Sequence, residues 1–275
     1  MAIRAILFDL DDTLVVDEAV SQEAFERVAA KATHFGADAK SFIWDSQMLA
    51  RNLWSKGPCF AYCRAIGISA FECLWGTFDD DQEDLRKLRT WALPFREAVF
   101  DGALRQQLID IPTVGSELAA EFKKVRRRLQ RLMPDAKETL VRLSRDYRLG
   151  MLTNGAPSLQ REKIVASGLE SFFQAISVSG EKGIGKPSSE IFFHLMSELG
   201  VLPSETVMVG NSKERDIIGA HNAGIRSVWI CVPGAEEPFD IEPDAEISGL
   251  SKLPTCIDEM NSVSVRSDSP EPLEI

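Results

Sequence analysis

The sequence lacks an excess of positive charge: 31 Lys plus Arg face 42 Asp plus Glu in 275 residues, a formal net charge of −11. Affinity for a nucleic-acid backbone comes largely from basic side chains that release counterions, so this composition excludes a surface that tracks nucleic acid, and anionic membranes repel it too. The chain also lacks any apolar run near the roughly 18 residues of a membrane span, and its opening MAIRAILFDLDD has no long apolar stretch ending in a cleavage site. A cytoplasmic protein with no membrane or nucleic-acid partner is expected. Cysteines are few and odd in number (Cys59, Cys63, Cys73, Cys231, Cys256), which in a chain of this length argues against a disulfide framework. Cys59 and Cys63 lie four apart, but no Cys or His pair follows at zinc-ligand spacing, and His34, His194 and His221 are isolated. Internal repeats and low-complexity tracts are missing as well.

What is present is an ordinary globular composition, 44% apolar and 27% charged, long enough for one large domain or two modest ones. Short strand-like apolar runs stand at Ala5 to Leu10, Arg148 to Thr153, Ala175 to Ser179, Thr206 to Gly210 and Ser227 to Val232. Between the later runs lie helical patterns. Ile191, Phe192, Leu195, Met196 and Leu199 recur at three- and four-residue steps, with Pro187 and Ser188 as a start signal and Gly200 as a stop. Strands alternating with helices imply a parallel sheet covered on both faces. From about Asp17 to Gln130 there is no strand pattern, only helical stretches: Ala19 to Phe35, Asp38 to Trp54, Pro58 to Ile66, Asp81 to Trp91 and Ser116 to Met133. This segment holds Trp44, Trp54, Trp75 and Trp91, read as core residues of which one or two could stack on a substrate ring; the Arg126-Arg127-Arg128 run reads as a solvated helix face.

The residues that carry chemistry cluster at strand ends. Asp9, Asp11 and Asp12 follow the first apolar run, where ligands of an open α/β sheet bind, and an i, i+2 pair in extended chain aims Asp9 and Asp11 at one spot. Two carboxylates so close call for a cation or a raised pKa. Thr153-Asn154-Gly155 ends the second run with hydrogen-bond donors suited to an anion, although such a turn is also common loop chemistry. Lys186 precedes a helix start, where backbone N–H groups favour an anion. Gly210-Asn211-Ser212, with Asp216 beyond, ends the fourth run, and there Ser212 or Asn211 also suits a helix N-cap. Residues 180–186 fit the first seven positions of a P-loop, but the eighth must be Ser or Thr and is Pro187.

Taken in order, these four segments resemble the four motifs of the haloacid dehalogenase superfamily, over about Met1 to Val16 and Leu132 to Pro233. The resemblance implies an α/β fold with a doubly wound, Rossmann-like core of residues 1–16 and 131–260. An all-α cap, residues 17–130, would be inserted after the first motif; separately, the stretch from about Pro233 on is rich in acids and prolines, and its residues 261–275 are expected to form a disordered tail. The resemblance further implies a phosphohydrolase acting on a small phosphorylated metabolite. Asp9 would be the nucleophile that carries an aspartyl-phosphate, Asp11 the acid/base, and Thr153, Asn154 and Lys186 the phosphoryl-binding residues. Mg2+ would be held by Asp9, the Asp11 carbonyl and the last motif, either Asn211 or Asp216. The family usually has aspartate where Asn211 stands; an amide oxygen can ligate Mg2+ but brings no charge, so the metal site should be weaker or lean on Asp216. Metal-free dehalogenases of this fold lack the second aspartate because a leaving halide needs no proton, so Asp11 favours phosphate esters; a phosphomutase uses the same pair. A non-catalytic binding protein on this fold is favoured by Asn211 alone and opposed by Asp9, Asp11, Thr153 and Lys186. The charge of −11 is uneven: Cys231 to Ile275 holds 11 acids and 2 bases, leaving −2 for the other 230 residues, so the expected site is not strongly negative.

Overall fold

The computed structural model of the protein describes residues 2–231 and 241–267, with side chains through Ser262. Its strands among these residues are β1 (Ala5–Phe8), β2 (Arg148–Thr153), β3 (Ala175–Val178), β4 (Thr206–Gly210), β5 (Arg226–Ile230) and β6 (Ala245–Ile247). Its helices are α1 (Glu18–Ala32), α2 (Ala39–Ser55), α3 (Phe60–Ile66), α4 (Ala70–Cys73), α5 (Glu83–Gln106) and α6 (Val114–Arg128), then α7 (Ala136–Leu143), α8 (Pro157–Ser167), α9 (Ser179–Lys182), α10 (Ser189–Leu199), α11 (Ile218–Ala223) and α12 (Leu253–Ser267). Two compact units result. An α/β unit takes the described residues of Met1–Val15, Leu132–Thr153 and Ser167–Ile275, and a helical unit takes Val16–Arg131 with Asn154–Ala166.

In the α/β unit all strand pairs are parallel, in the order β3-β2-β1-β4-β5-β6. The chain steps from β1 through β2 to β3 on one side and then opens the other side with β4. The carboxyl end of β1 is therefore the switch point of a Rossmann-like sheet, where such folds bind ligands. β1 reads Ala-Ile-Leu-Phe and is buried on both faces, as a covered parallel strand must be. On one face Ala5, Leu7, Leu152 and Met208 pack under the apolar stripe of α10 and the small face of α11. On α10 the expected signals hold: Ser188 is extended at the start, and Gly200 closes the end in the left-handed region at φ 62°. The chain leaves and re-enters this unit side by side, Val15 bridging Leu132 and the Met133 N–H donating to the Leu14 carbonyl at 2.9 Å.

Three expectations are corrected in this unit. β1 ends at Phe8 rather than Leu10, because the Leu14 and Val15 N–H groups turn back onto the Leu10 carbonyl at 2.8 and 3.0 Å. β6 has no counterpart in the sequence reading; at three residues it is too short to show a period. Residues 261–267, read as the start of a disordered tail, instead continue α12, where the Asn261 side chain accepts from the Ile3 N–H at 2.7 Å and donates to the Tyr147 hydroxyl at 3.3 Å. The rest of that tail, 268–275, and the acidic stretch 232–240 lie outside the described residues.

The helical unit is built around aromatic contacts, Phe25 against Phe122 with ring centroids 4.7 Å apart and Phe42 stacked on Phe100 at 6.0 Å. Helix α5 runs past the expected stop at Trp91 and through Pro94 to Gln106. Proline removes one N–H donor, but Leu85, Leu88, Ala92, Phe95, Val99 and Ala103 continue a single buried face, and that packing outweighs the lost bond. Trp54 and Trp75 are core as expected, whereas Trp44 is 66% exposed. Arg126 does not solvate a helix face: it is buried, lies over the Trp75 ring and donates to Asp17 and to the Ser21 hydroxyl. Lys163 is equally buried, 2.9 Å from Glu72 and 3.2 Å from Asp17. Burial alone would push the Asp17 carboxyl up, but Lys163 and Arg126 together hold it below its ordinary value. Lys163 belongs to the segment 154–166, which had been expected within the core. Its Ala156 and Leu159 join the aromatic cluster, and Ser158 donates twice to Asp80 at 2.8 and 2.7 Å.

Candidate active site

Register brings three strand ends together. Phe8 lies opposite Met151 of β2 and Val209 of β4, so Asp9, the end of β2 at Thr153 and the end of β4 at Gly210 share one edge of the sheet. The Asp9 N–H donates to the Val209 carbonyl at 3.0 Å, which prolongs the ladder by one bond and fixes where the Asp9 side chain begins. Beyond it the chain turns tightly, with Asp12 in the left-handed region at φ 57°, a conformation aspartate tolerates better than most residues. Thr153 is fully buried at the end of β2, while Asn154 is the first residue of the second segment of the helical unit, its side chain against Gly67, itself at φ 82°.

Lys186 organises the site. It stands in the loop between α9 and α10, a loop tied to α11 by the Asn222 amide donating to the Pro187 carbonyl at 3.1 Å. The closeness of Gly219 to the Phe192 ring, where a Cβ would come within 2.6 Å, sets how near α11 approaches. The Lys186 ammonium donates to Asp9 Oδ1 at 2.5 Å and to Asp216 Oδ1 at 2.7 Å, and all three side chains are buried. Burial opposes its charge, but Asp216 and Asp9 outweigh that penalty and raise its pKa, so it is cationic. Burial, with the Asp9 charge, pushes the Asp216 carboxyl up, while Lys186 pulls it back.

Asp216 reaches Lys186 from a single π-type turn, Lys213–Ile217, which Ser212 caps by accepting from the Arg215 N–H at 3.3 Å. The second Asp216 oxygen accepts the Ser212 N–H at 3.0 Å, so both oxygens of this carboxylate already have protein partners. The turn folds the carboxylate onto Gly210, where a built Cβ would lie 2.2 Å from Asp216 Oδ2; only glycine leaves that room. Asn211 lies on the other side of the turn. Its amide oxygen accepts from the Thr13 hydroxyl at 3.3 Å, and its carbonyl accepts from the Trp229 indole N–H at 2.9 Å. Lys213 in turn lies 4.1 Å above the Trp229 ring.

Among the described residues no three His, Cys, Asp or Glu side chains form a ready metal cluster. At the ends of β1 and β4 the chain carries the Asp9 carboxylate, the Asp11 carbonyl and the Asn211 amide oxygen. These hard oxygens fit Mg2+, which keeps several waters and is commonly held by one or two carboxylates plus a substrate phosphate. Sequence reasoning named Asp9, Lys186, Gly210 and Asp216 as candidates but missed the pairing of Lys186 with both acids and the contact of Gly210 with Asp216, and it missed Thr13 and Trp229. Thr13 was visible as the hydroxyl following the acidic run; Trp229 carried no signal, because its role depends on the pairing of β4 with β5.

The molecule has known relatives. A family model for haloacid dehalogenase-like hydrolases matches residues 3–224. The chain is 37% identical over 251 residues to the phosphoserine phosphatase of Thermus thermophilus, covering 91% of this chain and 97% of that protein. It is 30% identical over 264 residues to human N-acylneuraminate-9-phosphatase, covering 94% and 95%. In three dimensions it matches the magnesium-bound HAD hydrolase YfnB of Bacillus subtilis with a TM-score of 0.64 at 21% identity, over 94% of this chain and all of that one.

Proposed function

The chain belongs to the haloacid dehalogenase-like hydrolase family, and from that premise we propose that it hydrolyses a small-molecule phosphate monoester, with Mg2+, through an aspartyl-phosphate on Asp9. The observation that carries this reading is the buried Asp9–Lys186–Asp216 chain at the switch point, which presents one carboxylate oxygen of Asp9 fixed by a cation. The relatives named for phosphatase activity on phosphoserine and on N-acylneuraminate 9-phosphate support the substrate class.

The chemistry needs an oriented nucleophile, neutralised phosphoryl oxygens and one group that moves a proton twice. An Asp9 oxygen attacks phosphorus as the bond to the leaving alkoxide breaks, and protonated Asp11 gives that alkoxide its proton. Asp11, now a carboxylate, then takes a proton from water as the water oxygen attacks phosphorus and the bond to Asp9 breaks, releasing phosphate; such a role is worth about a hundred- to ten-thousandfold. Lys186, the Thr153 hydroxyl and the Asn154 main-chain N–H hold the phosphoryl oxygens. Asp9, the Asp11 carbonyl and Asn211 would hold Mg2+, which when bound would supply positive charge against the phosphoryl oxygens. Asp216, whose oxygens are taken by Lys186 and Ser212, acts as a positioning residue for Lys186 rather than as a metal ligand.

The test is a phosphate-release screen over phosphorylated metabolites, phosphoserine and N-acylneuraminate 9-phosphate among them, with and without Mg2+ and with Asp9→Asn as the blank. Release that Asp9→Asn abolishes, and a phosphoryl adduct on Asp9 in acid-quenched protein, are expected. Equal release by Asp9→Asn would overturn the reading.

A further inference from the structure

We infer that the site takes up Mg2+ and the phosphoryl group as a linked pair, each binding weakly without the other, because Asn211 supplies a neutral oxygen where the two carboxylates are already shared with Lys186. This inference rests on the phosphatase reading above and deepens it. Two carboxylates and one ammonium leave Asp9, Lys186 and Asp216 with a formal charge of −1, and Asn211 adds none. A divalent cation arriving first therefore finds an Asp9 carboxylate whose charge is largely offset by an ammonium at 2.5 Å, and no further free acid among these four residues. Mg2+ parts with its water reluctantly and needs charge to hold it, so binding to the free protein is weak.

A phosphate dianion changes both sides of the balance. It gives Mg2+ two negative charges and new oxygen ligands, and it gives the buried Lys186 ammonium a further acceptor. Conversely, a dianion entering first meets a cluster that is net negative in spite of Lys186, and is disfavoured until the metal arrives. Thermodynamic linkage requires the two effects to be equal: whatever factor phosphate adds to Mg2+ affinity, Mg2+ adds to phosphate affinity. Asn211 is held to this role by its surroundings. Its amide oxygen accepts from the Thr13 hydroxyl, and its carbonyl accepts from the Trp229 indole N–H in the neighbouring strand.

The experiment is isothermal titration of the full-length protein with Mg2+, in the absence and in the presence of saturating inorganic phosphate, repeated as a phosphate titration with and without Mg2+. Each ligand is expected to tighten the other by about tenfold or more, by the same factor in both directions. Asn211→Asp is expected to tighten Mg2+ alone and to shrink the mutual factor to about twofold, because the added carboxylate supplies the charge that phosphate otherwise brings. Thermal unfolding of both proteins with each ligand gives a second readout that does not depend on turnover. Mg2+ and phosphate that bind independently in the wild type would overturn the inference, as would an Asn211→Asp protein with an undiminished factor. Phosphate release from esters with independent binding would strike the linkage alone, whereas linkage without release from any ester would support the inference and strike the phosphatase reading.

Discussion

Replacing Gly210 by alanine tests whether the loop after β4 is shaped by the Asp216 carboxylate. A Cβ at Gly210 would lie 2.2 Å from Asp216 Oδ2, 2.3 Å from its Cγ and 2.7 Å from its Cβ. To reach an ordinary contact of about 3.4 Å the carboxylate must retreat by roughly 1 Å, and its two bonds, 2.7 Å to Lys186 and 3.0 Å to the Ser212 N–H, have no slack of that size. Losing the Ser212 bond costs about 1 kcal/mol, and detaching a fully buried carboxylate from its ammonium costs about 3–5 kcal/mol. Partial relaxation of the turn places the expected loss near 3 kcal/mol, read as the shift in the urea midpoint followed by circular dichroism. Phosphate release should fall about a hundredfold as Lys186 loses its anchor. The decisive measurement is the double-mutant cycle with Asp216→Gly, which removes the clashing atoms: on that background Gly210→Ala should cost under about 1 kcal/mol. If Gly210→Ala costs the same on both backgrounds, the glycine answers to something other than Asp216 and the geometric argument fails.

Asp9→Asn and Asp11→Asn should each abolish phosphate release while leaving the circular dichroism spectrum unchanged, and a near-normal rate in either would refute its assigned role. Asp17, held low by Lys163 and Arg126, contributes stability that is present in full above the ordinary aspartate value of about 3.9 and is lost as pH falls through its lowered native value. The wild-type urea midpoint should therefore drop in acid below about pH 4, and Asp17→Asn should flatten that drop; an unchanged acid slope would count against the ion cluster. Lys163→Met leaves Glu72 and Asp17 buried around a vacated cation site and should cost about 3–5 kcal/mol at neutral pH, a loss under 1 kcal/mol showing that the pair is not structurally important.

The α/β half of the fold was legible because its central strands β1, β2 and β4 are buried on both faces and so read as short apolar runs. β2 and β4 were found at their full bounds, and α10 at its capping residues. Legibility failed where tertiary packing overrode local signals. The helical stretch expected to end at Trp91 runs on through Pro94, because the buried face of α5 continues past it. Arg126 reads as solvated, yet Asp17 and Trp75 give it a buried partner and a ring to lie over, and neither is close to it in sequence. The segment after Thr153 is the instructive case. Nothing in its residues says which unit it joins, because Lys163 is a surface residue by composition and becomes internal only when Glu72 and Asp17 converge on it.

The candidate site divides along the same line. Motif order and strand context pointed to Asp9, Thr153, Lys186, Asn211 and Asp216 as residues of one sheet edge, because the position of a residue at a strand end is a local property. Which lone pair faces which proton is not local. Asp216, five residues beyond Asn211, was expected as an alternative metal ligand, since the chain supplies only one amide where a second acid was sought. A π-type turn folds it under Gly210, and its two oxygens accept from Lys186 and the Ser212 N–H, pairings that no local stretch of sequence displays. Those partners set the local charge: the Asp216 carboxylate, like that of Asp9, faces the Lys186 ammonium. The net charge of −11 therefore says little about the site, where a single formal negative charge remains among Asp9, Lys186 and Asp216.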